Sequence, residues 1–399
     1  MANDLTIKEI FERIIDFKSC PRTLKWEMGF LSKTMTRWYE EGLPRNENNS
    51  TFFDVGIHGD AYPLPNYNAH EYTGRERSEV SARFDLDEGF MGVPVNCWFE
   101  PPFEEVTYYE DETIYEKQDS FGIRKRNYKD ESSMPHWVGF PVKTREDWEQ
   151  IKEERLTFKG IQERTYPGID IEKHTEDVKS SNVPLMLNYY PIGYFGSLRY
   201  LLGDEELLKT YYDDPDLLKD MADHLTNLWL AIDEEQTAEF DFDVLYFWED
   251  MSYKQGSLIS PAMIREFMLP YYKKIIDFGK SKGINHVYLD TDGLVDELIP
   301  VFSEVGVDLF TPMERRAGND IIKYRKKYPN MMMMGGFDKS VFLEGRDAID
   351  RELEVMRELI KFGGFVPHVD HWVPHNVSWD DFIYYREKLN SIIDSTQVL

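Results

Sequence analysis

The sequence predicts an α/β protein with a (β/α)8 TIM barrel and an elaborated, partly irregular N-terminal region. Residues 181–399 alternate short apolar runs with amphipathic helical stretches, which is the pattern of a parallel sheet. Residues 1–180 lack this alternation and are rich in Pro, Gly, Tyr and charged residues. No low-complexity linker divides the chain, so we expect one barrel domain over residues 1–399.

Six apolar runs predict the strands of the regular region. Most are apolar throughout, as expected for strands buried on both faces. They are Pro184–Tyr190, Phe242–Trp248, His286–Leu289, Val307–Pro312, Met331–Gly335 and Gly364–Val369. An earlier run, Thr51–Gly56, is a candidate for a further strand. A doubly wound open sheet is the structural alternative that this pattern leaves open.

Helix-capping signals lie between these runs. Asp214 and Ser260 each precede a proline, which suits an N-cap followed by the first helical position. Asp292 is expected to cap the helix that ends near residue 306, and Ser378 to cap the last helix. These boundaries predict a helix after each strand.

Composition excludes several functions. The net charge of −28 repels nucleic acid and anionic membranes, so neither is an expected partner. The two cysteines, Cys20 and Cys97, indicate neither a disulfide framework nor a zinc motif. The sequence shows no signal peptide and no bilayer-spanning apolar run, and we therefore expect a cytoplasmic protein.

Acidic or histidine side chains follow five of the six strands, where the catalytic groups of parallel barrels lie. Helix capping is the alternative explanation, and it explains residues 368–375 least well, because three of the nine histidines fall there. The side chains are Glu249, Asp250, Asp290, Asp292, Glu314, Asp338, His368, Asp370, His371 and His375. We expect a candidate site at this end of the barrel.

Carboxylates and imidazoles that converge in a cleft have two common uses. They bind a metal such as zinc with one position open for substrate, or they form an acid/base set without metal. The sequence contains no H-E-x-x-H motif and no glycine-rich phosphate loop, so both uses remain open.

Four segments carry a family resemblance: EDMSYKQGSLISPAMIREFMLPYYKKIIDFGKSKG, HVYLDTDGLVDELIPVFSEVGVDLFTPME, MMMMGGFDKSVFLEG and GGFVPHVDHWVPHNVSWDDFIYY. Over about residues 184–390 the chain resembles the uroporphyrinogen decarboxylase superfamily. The resemblance implies a TIM barrel that catalyses either tetrapyrrole decarboxylation or methyl transfer in corrinoid-dependent pathways.

The decarboxylases of this superfamily hold substrate carboxylates with an N-terminal Arg-Gln-Ala-Gly-Arg motif. This chain has no such motif, since Arg22 and Arg37 are isolated, and its charge of −28 suits a polycarboxylate poorly. The chain is more similar to the branch of corrinoid-dependent methyltransferases and O-demethylases.

Zinc methyltransferases of the superfamily bind their metal through a His-x-Cys pair and a distant Cys. In this sequence the pair falls on Tyr288 and Asp290, and the distant Cys falls on His371. The resemblance therefore implies a zinc site of oxygen and nitrogen ligands, with Asp290, His371 and Glu249 as the candidates.

The implied reaction moves a methyl group from a small methylated compound, such as a methoxylated aromatic, to cob(I)alamin on a separate corrinoid protein. Zinc would stabilise the leaving oxygen, and His368 or Asp370 would supply a proton. The candidates for packing against an aromatic substrate, with the protein core as the alternative, are Tyr189, Tyr190, Phe195 and Trp372. Three other functions stay open: metal-free methyl transfer from a methylcorrinoid to tetrahydrofolate, decarboxylation, and a non-enzymatic scaffold for a corrinoid protein.

Overall fold

The structure is a computed structural model that describes residues 5–44, 79–93, 95–129, 135–165, 171–188 and 190–399. The candidate strand Thr51–Gly56 and the candidate substrate-binding residue Tyr189 lie outside these residues. Among the described helices, none has both the length and the apolar composition that crossing a bilayer requires.

The described strands form a parallel sheet, an antiparallel sheet and a short hairpin. In chain order they are β1 (Met91–Gly92), β2 (Val106–Glu110), β3 (Ile114–Gln118), β4 (Arg124–Tyr128), β5 (His136–Gly139), β6 (Leu185–Leu187), β7 (Val244–Trp248), β8 (Ser252–Tyr253), β9 (Gly256–Ser257), β10 (His286–Asp290), β11 (Leu309–Thr311), β12 (Met332–Phe337) and β13 (Phe365–Val369). The six apolar runs correspond to β6, β7 and β10–β13 with small differences at their ends, so these strand predictions are confirmed.

The parallel sheet has the order β1-β6-β7-β10-β11-β12-β13, which follows the chain without a reversal. A doubly wound sheet reverses its order at a switch point, so that alternative is wrong for the described strands. The strands form a curled, parallel half barrel, whereas a closed eight-stranded barrel stays a prediction. On the side of β13 that faces away from β12, two side chains bind the strand's backbone. Thr23 Oγ1 donates to Phe365 O at 2.7 Å, and the Val369 N–H donates to Glu27 Oε2 at 3.2 Å.

The antiparallel sheet has the order β2-β3-β4-β5 and lies between β1 and β6 in the chain. The N-terminal region therefore contains four strands, β2–β5, that the sequence analysis did not predict. Exposure alternates along β4, where Arg124, Arg126 and Tyr128 are exposed and the residues between them are half-buried. This period of two is the pattern of a strand with one solvated face, although charged residues conceal it in the sequence.

The described α-helices are α1 (Ile7–Ile15), α2 (Ser32–Glu40), α3 (Glu79–Phe84), α4 (Arg145–Glu154), α5 (Ile161–Thr165), α6 (Ile171–Ser180), α7 (Tyr194–Leu202), α8 (Asp204–Asp213), α9 (Pro215–Glu239), α10 (Pro261–Phe267), α11 (Leu269–Ser281), α12 (Leu298–Ser303), α13 (Ile321–Lys327), α14 (Arg346–Ile360) and α15 (Trp379–Ser395). Three predicted N-caps are confirmed, because the side chains of Asp214, Ser260 and Ser378 accept backbone N–H groups of α9, α10 and α15. The predicted cap Asp292 is wrong, because α12 begins only at Leu298.

The two faces of the parallel sheet have different neighbours, because successive side chains of a strand point to opposite sides. Tyr246 and Tyr288 pair in register on β7 and β10 and share one face, with ring centroids 4.9 Å apart. Phe247 points to the other face and packs on Tyr272 of α11, with centroids 4.2 Å apart. Asp290 ends β10 on the same face as the two tyrosines, two residues beyond Tyr288.

Candidate active site

Asp290 lies at the carboxyl end of β10 and is 8% exposed. Its Oδ2 accepts a hydrogen bond from the Tyr246 hydroxyl at 2.8 Å. Burial raises the pKa of Asp290 to about 7; Asp292 and Asp250 raise it as well, while Tyr246 lowers it. Asp290 therefore changes its charge near neutral pH, as an acid/base group of an active site does.

His371, beyond the end of β13, faces Asp292 with 3.3 Å between Nε2 and Oδ2. Burial opposes the charged form of both groups, but their attraction outweighs it. The pKa of His371 is raised and the pKa of Asp292 is lowered, so the two form an ion pair. The partner of His371 is thus Asp292 rather than Asp290, although His371 is close enough to lower the pKa of Asp290.

Asp250 follows β7 in a left-handed backbone conformation, with φ of 42°. A non-glycine residue in this region costs about 1 kcal/mol or more and is frequent at functional sites. Arg199 of α7 donates from Nη1 to the Asp250 carbonyl at 2.8 Å and to its carboxylate at 2.6 Å. Arg199 also forms an ion pair with Asp204 at 2.9 Å. Burial raises the pKa of Asp250, Arg199 lowers it, and Asp292 raises it.

Glu249 has a structural role. Its Oε1 accepts the Tyr194 N–H at 2.7 Å and the Tyr272 hydroxyl at 2.6 Å. Its Oε2 accepts the N–H groups of Phe195 at 2.6 Å and Gly196 at 3.1 Å. The side chain is fully buried and satisfies the first N–H groups of α7, which otherwise have no partner in the helix. The prediction of Glu249 as a zinc ligand is not supported by this arrangement, and its alternative as a capping carboxylate is.

His368, on β13, is the first of the two predicted proton donors. It is fully buried, and burial lowers its pKa to about 4. Nδ1 lies 2.7 Å from the Val369 carbonyl and donates to it, while Nε2 has no partner. The role of His368 as a proton donor stays a prediction, which this lowered pKa disfavours because burial stabilises the neutral imidazole.

Asp370, the second predicted proton donor, is 1% exposed. Its two oxygens accept the N–H groups of Arg315 at 2.8 Å and Lys339 at 3.1 Å. Burial raises its pKa to about 6, against the opposing effect of Lys339. The carboxylate joins the segments that follow β11 and β12, and it presents almost no surface to a substrate.

The described cations that contact the acids of this region are already paired. Arg199 binds Asp250 and Asp204, as described above. Lys339 Nζ lies 2.8 Å from Glu314 Oε1, and Arg316 Nε lies 2.8 Å from Asp338 Oδ2. Asp250 is paired with Arg199 and Asp292 with His371, and Asp290 adds a third carboxyl group, so the mouth of the half barrel is rich in acidic groups.

Buried and half-buried aromatic side chains adjoin these acids. Trp248, the last residue of β7, contacts Tyr190 with ring centroids 4.8 Å apart and Tyr200 with centroids 5.4 Å apart. Tyr200 also contacts Phe121 and Trp137 of the antiparallel-sheet region, with centroids 5.8 and 5.2 Å apart. We call Phe121, Trp137, Tyr190, Tyr200 and Trp248 the aromatic wall. Part of the N-terminal region thus adjoins the candidate site.

The four predicted aromatic residues have three different outcomes. Tyr190 belongs to the aromatic wall, and half-buried Trp372 lies beside His371 with ring centroids 5.6 Å apart. Phe195 is fully buried in the core, so the core alternative applies to it. Tyr189 stays a prediction, because it lies outside the described residues.

The three predicted zinc ligands do not form a common donor set. Glu249 is satisfied by four donors, Asp290 by Tyr246 among others, and His371 by Asp292. Over the residues that the structure describes, no group of three or more His, Cys, Asp or Glu side chains is arranged to hold a metal ion. The described residues therefore do not fit the implied zinc site as they stand.

The sequence analysis missed the functional position of Asp292, assigned no role to Asp250 and overlooked Arg199. Asp250 and Asp292 each lie two residues beyond the last residue of a strand, which is Trp248 for β7 and Asp290 for β10. That shared offset was a usable signal. Arg199 lies inside a helix with no such signal, because its contact with Asp250 depends on how α7 packs.

The sequence profile of the uroporphyrinogen decarboxylase (URO-D) family matches residues 128–382. The chain belongs to the uroporphyrinogen decarboxylase family. Members of this family are enzymes with a TIM-barrel fold, which agrees with the half barrel and its sequential strand order. A comparison with curated proteins found no significant match.

Two solved structures are similar to parts of this family member. A putative vitamin-B12-independent methionine synthase from Listeria monocytogenes is 12% identical, with a TM-score of 0.32 over 57% of this chain and 68% of that chain. A uronate isomerase from Bacillus halodurans is 14% identical, with a TM-score of 0.28 over 57% of this chain and 60% of that chain. At such identities and TM-scores, neither similarity bears on function.

Proposed function

We propose that this URO-D family protein transfers a methyl group from a small methylated compound to a reduced corrinoid held by a partner protein. The single observation that carries the proposal is the charge of the site. Asp250, Asp290 and Asp292 lie at the mouth, and the described cations near them are paired with acids. A polycarboxylate substrate of a decarboxylase would be repelled there, whereas a compact methylated compound would not be.

The corrinoid is a co-substrate in this proposal. Its cobalt(I) takes the methyl group, and the bond between the methyl carbon and its heteroatom breaks. The described residues bind and orient the methyl donor and hold a proton. We assign no step to zinc, because the predicted ligands Glu249, Asp290 and His371 bind other groups.

An ether donor, which the family resemblance implies, leaves as an alkoxide or phenolate and needs a proton on oxygen. His371 suits this role better than His368, because Asp292 raises its pKa and 28% of its side chain is exposed. An imidazolium with a carboxylate partner can protonate the leaving oxygen as the carbon–oxygen bond breaks. Half-buried Trp372 lies next to His371 and offers a ring for an aromatic donor.

The test is methyl transfer from a panel of methoxyaromatics and methylated amines to free cob(I)alamin, followed by the visible spectrum of the cobalamin. Formation of methylcobalamin supports the proposal. Demethylation of methylcobalamin only when tetrahydrofolate is present would establish the alternative methyltransferase direction. Release of carbon dioxide from a carboxylated tetrapyrrole, with no methyl transfer, would contradict the proposal.

A further inference from the structure

We infer that a monovalent metal cation, potassium or sodium without its water shell, binds between Asp233 and Gln236 of α9. The site lies where α9 packs against the carboxyl ends of β1 and β6, and it includes none of the acids of the mouth. The inference is independent of the proposed function, because the ion holds segments of the chain together and takes no part in methyl transfer.

Two side chains of α9 meet the ends of two neighbouring strands. β1 and β6 pair in parallel, Val93 directly follows β1, and Asn188 directly follows β6. Gln236 Nε2 lies 3.5 Å from the Val93 carbonyl oxygen, and Asn188 Nδ2 lies 3.5 Å from Asp233 Oδ2. Both contacts are longer than an ordinary N–H···O hydrogen bond of about 2.9 Å. Because residues three apart on a helix are neighbours on its surface, Asp233 and Gln236 line one small region.

One oxygen of each side chain has no hydrogen-bond partner in the part of the chain that the structure describes. These atoms are Asp233 Oδ1 and Gln236 Oε1, and both residues are at most 1% exposed. A carboxylate oxygen and an amide oxygen are both acceptors, so they cannot satisfy each other. Buried polar atoms nearly always have a partner, and two neighbouring free acceptors therefore indicate a bound group that attracts oxygen lone pairs.

The carboxylate of Asp233 also lacks a compensating charge. It forms no ion pair with any described residue, and burial raises its pKa to about 8. The buried guanidinium of Arg164 lowers the pKa of nearby Cys97, but it donates to the carbonyl oxygens of Trp98 and Arg155, each at 2.6 Å. A buried carboxylate is neutralised either by a proton or by a cation that takes the proton's place.

The donor set favours a monovalent metal ion. Carboxylate and amide oxygens are ligands of hard cations, whereas zinc is usually bound by nitrogen and sulfur. Calcium sites usually contain several carboxylates, and magnesium keeps part of its water shell. Asp233 is the one carboxylate here among the described residues, and the region is closed to solvent. A single positive charge without its water shell matches such a site best.

The ion stabilises the start of the segment that leads to the aromatic wall. Asn188 has a left-handed backbone conformation with φ of 68°, and Tyr190 of the aromatic wall follows it by two residues. A non-glycine residue adopts this conformation only when its surroundings hold it there. Asp233 contacts the Asn188 side chain, so an ion on Asp233 fixes this turn against α9. The ion therefore positions the chain and does not react.

Anomalous diffraction from crystals of the whole protein grown with thallium(I), which replaces potassium and scatters strongly, tests the inference directly. We expect a peak in contact with Asp233 Oδ1 and Gln236 Oε1. The peak should be absent from Asp233→Asn and present in Asp380→Asn, a matched control that removes an 80% exposed carboxylate of α15. A water molecule at this position without anomalous signal, or thallium bound only elsewhere, overturns the inference.

Thermal melting tests the same site in solution. The measurement is made at pH 9, where the carboxyl group of Asp233 is ionised. Replacing tetramethylammonium chloride by potassium or sodium chloride at equal ionic strength should raise the Tm of the wild type by about 2 °C, once the metal ion exceeds its Kd about tenfold. Asp233→Asn should lose this shift, and Asp380→Asn should keep it.

The wild-type comparison needs no variant, and a second variant replaces Asp233→Asn if that protein fails to fold. Gln236→Met removes the amide oxygen and keeps nearly the same side-chain length, so it should reduce the shift. The inference is overturned if neither salt shifts the Tm of the wild type, or if the variants at Asp233 and Gln236 show the full shift.

Discussion

Replacing Glu249 by glutamine distinguishes its capping role from the role of a metal ligand. In the wild type, the two carboxylate oxygens accept three backbone N–H groups and the Tyr272 hydroxyl, at 2.6–3.1 Å. In Glu249→Gln, an amide NH2 replaces one oxygen and meets at least one N–H donor of α7. That donor is fully buried and loses its acceptor.

The magnitude follows from the number of hydrogen bonds lost. Each oxygen accepts two hydrogen bonds, so the amide removes up to two, and each buried bond contributes about 1 kcal/mol with a further penalty for an unsatisfied donor. We expect the free energy of unfolding of Glu249→Gln to fall by roughly 2–3 kcal/mol. Urea unfolding, followed by both circular dichroism and tryptophan fluorescence, measures this change and shows whether the transition is cooperative.

The matched control is Glu354→Gln. Glu354 is 65% exposed and forms an i,i+3 ion pair with Arg357, so its replacement should change the free energy of unfolding by less than about 0.5 kcal/mol. The reasoning would be refuted if Glu249→Gln were as stable as the control while the purified protein lost bound zinc. That result would assign Glu249 to a metal site rather than to the start of α7.

Three further predictions concern other parts of the structure. Asp292→Asn should destabilise the protein by at most ~1 kcal/mol at about pH 5. The effect should diminish as pH falls below about 4 towards the lowered pKa of Asp292, and as pH rises above about 6.5 through the raised pKa of His371; urea unfolding across this pH range tests it. Gly193→Ala should lower the yield of folded protein, because a Cβ there would lie 1.7 Å from the Trp248 carbonyl oxygen; expression and thermal melting like the wild type would contradict this. Cys97, whose pKa burial raises to about 12, should resist alkylation at about pH 8 until the protein is unfolded; mass spectrometry of peptides measures the labelling.

The parallel strands could be predicted because their physical cause is local. Continuous apolar runs such as Phe242–Trp248 can be buried on both faces only in a covered parallel sheet. The caps at Asp214, Ser260 and Ser378 were readable because a short polar side chain binds N–H groups within three residues of itself. Such signals depend on neighbours in the sequence, so one chain suffices to recognise them.

The roles of individual site residues were harder to predict because they depend on contacts between distant segments. The positions of Asp290 and His371 at strand ends follow from the sequence, but the choice of Asp292 rather than Asp290 as the partner of His371 does not. Glu249 accepts N–H groups from a helix more than fifty residues earlier in the chain, and no local sequence pattern predicts that contact. The low pKa of His368 likewise follows from complete burial.

The antiparallel sheet β2–β5 is an insertion between two strands of the parallel sheet. Phe121 and Trp137 belong to this insertion, whereas the acids of the mouth follow strands of the parallel sheet. We therefore expect substitutions of Phe121 and Trp137 to change the aromatic wall without moving the acidic side chains at the ends of the parallel strands. Exchange of this segment between homologues offers a modular route to new specificity, with the strands of the half barrel left intact.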